Sequence, residues 1–287
     1  MADANIPPLP ADLKLLRCLF KLVPRGHRLA RFFWSRRLTA LGVVSVPTPL
    51  GFTLLVRLTD VMGWALAMHP DYEGPVTSLI AYHLRDGGTF ADVGANHGWF
   101  SLYAAKLLRP SGGRVFAFEP QADLVELIRK AATINRLDNI TVIEAAVGDR
   151  TTRGVLQTVG KGNSGWVRAA ATGAAADHVR FVTLDEELGE VRPSVIKIDV
   201  EGGELRVLRG MERLMACPVL TCIVVEVHPP QMAGFGDEPD QLLTLLRARG
   251  FRTYLISMGT QVGPLPQLTE ISASLPATPC FNLCAVR

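Results

Sequence analysis

The sequence predicts an α/β fold: a seven-stranded, mostly parallel sheet with helices on both faces, behind an N-terminal extension of helices and a β-hairpin. Three observations carry this. From Thr89 onward, short apolar runs alternate with helical stretches, the pattern of βα units that builds a parallel sheet. The chain has 287 residues, of which 48% are hydrophobic. That suits one α/β domain of roughly 200 residues plus an appendage. Finally, the first 70 or so residues lack the βα pattern and are basic instead.

Residues 12–41 read as one or two amphipathic helices, broken near Pro24-Arg25-Gly26, with Leu15, Leu16, Leu19, Phe20 and Leu22 as an apolar stripe. Residues 43–46 and 52–58 flank a Pro/Gly turn at 47–51 and read as a hairpin. A helix follows over 75–84. Strands are expected over 89–93, 114–118, 140–144, 194–198, 220–227, 252–256 and 281–286, and helices over 99–108, 122–135, 204–215 and 240–249. The region between Asp149 and Glu190 is expected to hold an extra hairpin. Residues 1–74 are assigned to the extension and 75–287 to the main domain.

Residues 13–59 hold nine Lys/Arg and no acid, so the rest of a chain of net charge +3 carries −6. The simplest account is a solvated face on packed helices. The sharper one is a peripheral contact of residues 14–37 with an acidic partner or an anionic membrane surface. No signal-peptide pattern and no run of about 18 apolar residues occurs, so a cytoplasmic location is expected. The five cysteines (18, 217, 222, 280 and 284) show no CxxC or Cys/His zinc spacing. Cys222 and Cys284 fall inside apolar strands, where cysteine acts as a small hydrophobe.

Four segments can carry chemistry. The first, Phe90-Ala91-Asp92-Val93-Gly94-Ala95-Asn96-His97-Gly98, runs from a buried strand through a tight turn into a helix N-terminus. Asp92 suits an ammonium and not a phosphate. The second is Glu119, 21 residues past Gly98. An acid ending the second strand suits the ribose hydroxyls of a nucleoside ligand. The loop reads D-x-G-x-x-x-G and lacks the G-x-G-x-x-G of nicotinamide-cofactor folds.

The third segment, Val195 to Glu204, ends a strand in charge. While it stays extended, Lys197, Asp199 and Glu201 share one face, where ligands of such sheets bind. Alone, Asp199 would more simply cap the next helix. The fourth segment is Glu226-Val227-His228-Pro229. If its strand neighbours the third, Asp199, Glu201, Glu226 and His228 converge as candidate catalytic residues to hold and deprotonate a hydroxyl. Such a set can also ligate a divalent cation, but a metal is not expected and no metal ligand is assigned.

Taken in order, Asp92 to Gly98, Phe118-Glu119-Pro120, residues 145–149, Asn163-Ser164-Gly165, Val182-Thr183-Leu184-Asp185 and Ile196 to Gly202 resemble the FkbM family of methyltransferases. Tyr72-Glu73 resembles the family's helix lead-in, and the likeness covers roughly residues 70–260. It implies a class I, Rossmann-like methyltransferase fold, S-adenosyl-L-methionine as cofactor, and O-methylation of a sugar or secondary-metabolite hydroxyl. On this likeness Asp92, Gly94, Asn96 and Gly98 hold the methionine end, and Glu73, Ala95 and Asp199 belong to the same cofactor-binding set. Glu119 and Pro120 meet the ribose, and Ala146 the adenine. The partner implied is a small-molecule or glycan acceptor, and no nucleic-acid module is seen. Two other readings remain: a nicotinamide-dependent oxidoreductase, and a methyltransferase-like scaffold without turnover.

Overall fold

The structure, a computed structural model, describes residues 6–20, 35–69, 71–158, 167–170, 178–257, 263, 265–272 and 275–287. The break at Pro24-Arg25-Gly26, most of the basic stretch and the Asn163-Ser164-Gly165 motif lie outside them. On either side are the helices Ala11–Phe20 and Ser35–Leu41, tied by an exposed ion pair between Arg37 and Asp12 at 3.0 Å.

Strands β1 (Val43–Pro47) and β2 (Thr53–Arg57) form the expected hairpin. The Asn135 amide clips it to the main sheet's helix layer: Oδ1 accepts from Thr53 N–H and Nδ2 donates to Thr53 C=O, both at 2.7 Å. Leu9, Leu13, Leu38, Val44 and Leu54 pack in one buried cluster with Phe90, Trp99 and Leu102. The extension therefore shares its core with the sheet. One helix of this region, Val61–Met68, escapes sequence reading. It is apolar nearly all round, so it shows no stripe. Its start is fixed by the Asp60 carboxylate, which accepts from Met62 N–H at 3.0 Å.

The main sheet contains all seven expected strands: β3 (Thr89–Val93), β4 (Arg114–Glu119), β5 (Ile140–Glu144), β10 (Val195–Ile198), β11 (Cys222–Val227), β12 (Arg252–Ile256) and β14 (Phe281–Val286). A short strand, β13 (Leu268–Glu270), adds an eighth at the edge. The order is β13-β12-β14-β11-β10-β3-β4-β5. Strands β5, β4, β3, β10 and β11 pair in parallel, and β14 runs antiparallel between β11 and β12. The chain thus starts mid-sheet at β3, winds outward through β4 and β5, then returns to β10 on the other flank. Such a reversal opens a crevice at the carboxyl ends of the two central strands.

The expected hairpin between Asp149 and Glu190 is part of a separate sheet, ordered β6-β9-β7-β8. It comprises β6 (Ala146–Val147), β7 (Thr152–Thr158), β8 (Val167–Ala170) and β9 (His178–Val182). The Val182-Thr183-Leu184-Asp185 motif has a structural task. Thr183 Oγ1 caps the helix Leu184–Glu187. The Asp185 carboxylate accepts from Arg213 N–H at 2.8 Å and Leu214 N–H at 3.0 Å.

The single helix expected over 204–215 is two helices, Glu204–Arg209 and Glu212–Ala216. Apolar periodicity runs on through Leu205, Leu208, Met211 and Met215, which is why one helix was expected. The chain breaks at Gly210 because it presses against the loop after β6: a Cβ there would lie 2.0 Å from Gly148 O. Among the described residues no helix is long and apolar enough to cross a membrane.

Candidate active site

The crevice is a cavity of about 310 Å³ at the carboxyl ends of β3, β4 and β10. Of the residues singled out for binding, Gly94, Ala95, Asn96, Glu119, Pro120, Ala146 and Asp199 line it, together with Glu201. Asp92, Glu73 and Gly98 stand behind the wall, and Glu226 and His228 lie beyond Glu201, adjoining it.

The turn after β3 is shaped by close approach. Gly94 has φ +83°, and a Cβ on it would lie 1.8 Å from Asp199 O. Only glycine lets the β3 and β10 loops touch there. Gly98, at φ +81°, starts the helix Trp99–Leu108 and faces Ile128, so its part is the turn itself. Asn96 takes φ +52°. Its backbone N–H donates to Glu119 Oε2 at 2.9 Å, and Gln121 N–H donates to Glu119 Oε1 at 3.0 Å. Burial pushes the Glu119 carboxyl up to about 7, although both of these bonds oppose the shift.

His97, which sequence reading passed over, locks this turn. Its Nε2 accepts from Arg57 N–H at 3.4 Å, so Nδ1 is the protonated nitrogen and donates to Asn96 Oδ1 at 2.6 Å. Burial lowers its pKa to about 4, against the pull of Asp60, and keeps the ring neutral. Asp92 is fully buried, and its Oδ2 accepts from Ser101 Oγ–H at 2.5 Å. Its Oδ1 has no hydrogen-bond partner. Asp92 therefore lies beneath the cavity floor and not on it.

At the other end, β10 stops at Ile198, so alternation along an extended strand does not reach Glu201. Glu201 has φ +55° and arrives in the cavity through a turn instead. Asp199 caps nothing: the helix Glu204–Arg209 starts after Gly203, and Gly202 N–H donates to Glu204 Oε1 at 2.8 Å. Asp199 pairs instead with Lys197, Nζ to Oδ2 at 2.9 Å. Lys197 is 1% exposed, and its ammonium also sits 4.7 Å over the Phe100 ring. Burial works against both charges, yet Lys197 holds Asp199 below the usual carboxylate range, and Asp199, Asp92, Glu73 and Glu226 raise Lys197. A lysine inside a four-residue buried strand was the legible sign of this pair.

Glu73 and Tyr72 close the back of this end. Glu73 has φ +42°, and its Oε2 is buried without a partner. Burial first, then Asp199, raises its carboxyl. Tyr72 lines the cavity, edge-on to Trp99 at 6.3 Å. His228 Nε2 lies 3.6 Å from both Glu201 Oε2 and Glu226 Oε1, while Nδ1 lies 3.8 Å from Glu204 Oε1. The structure therefore does bring Asp199, Glu201, Glu226 and His228 together. It adds Cys280, from the loop before β14, with Sγ 3.1 Å from Glu226 Oε1 and 3.5 Å from His228 Nε2. Burial opposes a charge on His228, but Cys280, Glu204, Glu201 and Glu226 push it up to about 12. An imidazolium donates protons, so the accepting groups here are carboxylates. Glu201, raised to about 7 by burial and by Asp199, is one.

A doubly wound sheet with its first strand central, a glycine turn, an acid ending the second strand and a charged fourth-strand end defines the class I methyltransferase architecture. The chain belongs to the family of the methyltransferase FkbM domain, which matches residues 92–253. It is similar to the hexuronic acid methyltransferase AglP of Haloferax volcanii, 29% identical over 61% of this chain and 67% of that protein. It is also similar to the AMB antimetabolite synthetase AmbE of Pseudomonas aeruginosa, 30% identical over 56% of this chain, of which it spans only 9%. Two solved structures align with the chain at low identity. The methyltransferase FkbM from Methylobacillus flagellatus aligns at TM-score 0.45 and 19% identity, over 70% of this chain and 44% of that one. An O-methyltransferase from Thermotoga maritima aligns at 0.44 and 15%, over 74% and 64%.

Proposed function

We propose that this methyltransferase uses S-adenosyl-L-methionine to methylate a hydroxyl of a sugar or secondary-metabolite-type small molecule. The observation that carries the proposal is that Glu119, at the end of β4, and Asp199 and Glu201, after β10, open onto one cavity. The residues present fit the cofactor. Glu119 Oε1 accepts from the Gln121 backbone and side-chain amides, but Oε2 accepts only from Asn96 N–H and keeps a lone pair for a ribose hydroxyl. Ala146 gives an apolar wall for adenine, and the carboxylates around Lys197 favour an ammonium and a sulfonium. The name of the AglP relative, which specifies hexuronic acid, supports a sugar acceptor.

S-adenosyl-L-methionine brings an already activated methyl group. The chain must then hold an oxygen in line with it at near-attack distance, which alone accounts for much of the acceleration in such reactions. Asp199, fixed by Lys197, orients the hydroxyl. Glu201 accepts the proton as the oxygen attacks.

Titration calorimetry with S-adenosylhomocysteine and with NAD tests the cofactor. Binding of the first alone is expected, and its absence would sink the proposal. Transfer of labelled methyl to hexuronic acids and their glycosides tests the acceptor. Asp199→Asn should lower turnover far more than S-adenosylhomocysteine affinity. Normal turnover in that variant would remove the charged role of Asp199.

A further inference from the structure

The cluster beyond Glu201 holds more than a hydroxyl-binding site needs. Glu226 Oε1, His228 Nε2 and Cys280 Sγ converge from the end of β11 and from the loop before β14, chain positions 52 residues apart. Around one ion at about 2.0–2.3 Å from each ligand, tetrahedral ligands sit about 3.3–3.6 Å from one another. His228 Nε2 meets this at 3.5 Å from Cys280 Sγ and 3.6 Å from Glu226 Oε1, and the Glu226–Cys280 pair, at 3.1 Å, lies slightly inside it.

Two further features point to an ion. Glu201 Oε2, 3.6 Å from the same Nε2, is buried and has no hydrogen-bond partner. His228, 8% exposed, turns its other nitrogen, also unpartnered, toward Glu204 Oε1 at 3.8 Å. Glu204 is itself fully buried, with Oε2 unpartnered. A carboxylate behind a ligating histidine is the usual support that fixes its tautomer and orientation.

We propose that Glu226, His228 and Cys280 bind a divalent ion of the zinc class, with the fourth position beside Glu201. A thiolate, an imidazole and a carboxylate together favour Zn²⁺ over Mg²⁺, which takes hard oxygen ligands. Binding displaces the Cys280 thiol proton and any proton on His228 Nε2 into solvent. Three protein ligands and one open position is the arrangement of reactive rather than structural zinc sites. The site thus deepens the proposed function and rests on it for its purpose: the ion would hold the acceptor oxygen next to the Glu201 carboxylate. The strand-end acids and His228 could ligate a divalent cation, but a metal was not expected from them; Cys280 supplies the soft ligand.

The test uses the full chain, stripped with chelator and equilibrated with Zn²⁺, its metal content measured by mass spectrometry. One equivalent per chain is expected. Replacement by Co²⁺ should give a thiolate-to-cobalt charge-transfer band. Cys280 is exposed, so Cys280→Ser should fold. It should abolish that band and weaken Zn²⁺ binding by at least the about 10- to 100-fold seen when only a supporting residue is lost. His228→Gln should do likewise. No retained Zn²⁺, equal retention by all three proteins, or Co²⁺ binding without the band each overturns the site. S-adenosylhomocysteine calorimetry on the metal-free protein separates the two proposals. Binding there leaves the cofactor reading standing if the metal fails, and no binding sinks that reading whatever the metal result.

Discussion

The two ends of the cavity are built differently. The end under Gly94 to Gly98 is made of backbone: two positive-φ glycines, an asparagine in the left-handed region, and a buried carboxylate held by two backbone N–H groups. The end under Asp199 is made of side chains: a buried lysine, a histidine and a cysteine among five carboxylates, several with unpartnered oxygens. The first is fixed by main-chain geometry, which suits the constant cofactor proposed for it. The second crowds carboxyl groups round two basic side chains and leaves several of their oxygens for a cation or a hydroxyl donor.

That contrast can be broken at the one place where the two ends touch. Gly94→Ala forces a Cβ against Asp199 O at a φ of +83°, and the obstacle is backbone that cannot step aside. A loss of about 4 kcal/mol or more in unfolding free energy is expected. An ordinary loss near 1 kcal/mol in denaturant melts would show the contact to be soft. At the side-chain end, Glu201→Gln keeps shape and removes the proton acceptor. It should lower turnover by about 100- to 10,000-fold while S-adenosylhomocysteine affinity stays within a few-fold. Loss of affinity instead would move Glu201 to the cofactor end.

At the backbone end, Glu119→Ala should weaken S-adenosylhomocysteine by about 10- to 100-fold, the scale of a hydrogen bond to a charged group. The same residue predicts a pH effect. The Glu119 carboxyl titrates near 7, and its ionised form is the better acceptor for ribose hydroxyls. Affinity should therefore rise as pH climbs through about 7 and level off above. Calorimetry across that range checks it, and Glu119→Gln should flatten the curve. The smallest effect lies away from both ends. Thr183→Ala removes the cap of the helix Leu184–Glu187 at a cost of about 1 kcal/mol, with turnover unchanged.

The same contrast decides what was legible in the sequence. The β3 turn, Glu119 and all seven main strands follow from local chemistry: a glycine where the chain must turn, an acid a fixed distance on, apolar runs between helices. Cys280 and His97 are illegible by that route. Cys280 joins His228 only because β14 inserts antiparallel beside β11, and that pairing is a tertiary fact. His97 sat inside the quoted loop, but its task depends on Arg57 N–H, 40 residues earlier. Glu201 does reach the cavity, but through a turn and not by strand alternation, which ends three residues before it. The single helix expected over 204–215 failed because Gly210 answers to Gly148 across the fold and not to its own neighbours.

The contact between Gly94 and the Asp199 carbonyl has a thermodynamic consequence. Asp199 N–H also donates to Val93 C=O at 2.9 Å, so the two loops are joined at two successive residues. On the proposed reading, a shift that settles the β3 loop around the methyl donor is handed directly to Asp199. Whatever factor donor occupancy adds to acceptor affinity must then return, equal in size, as tighter donor binding when acceptor is present.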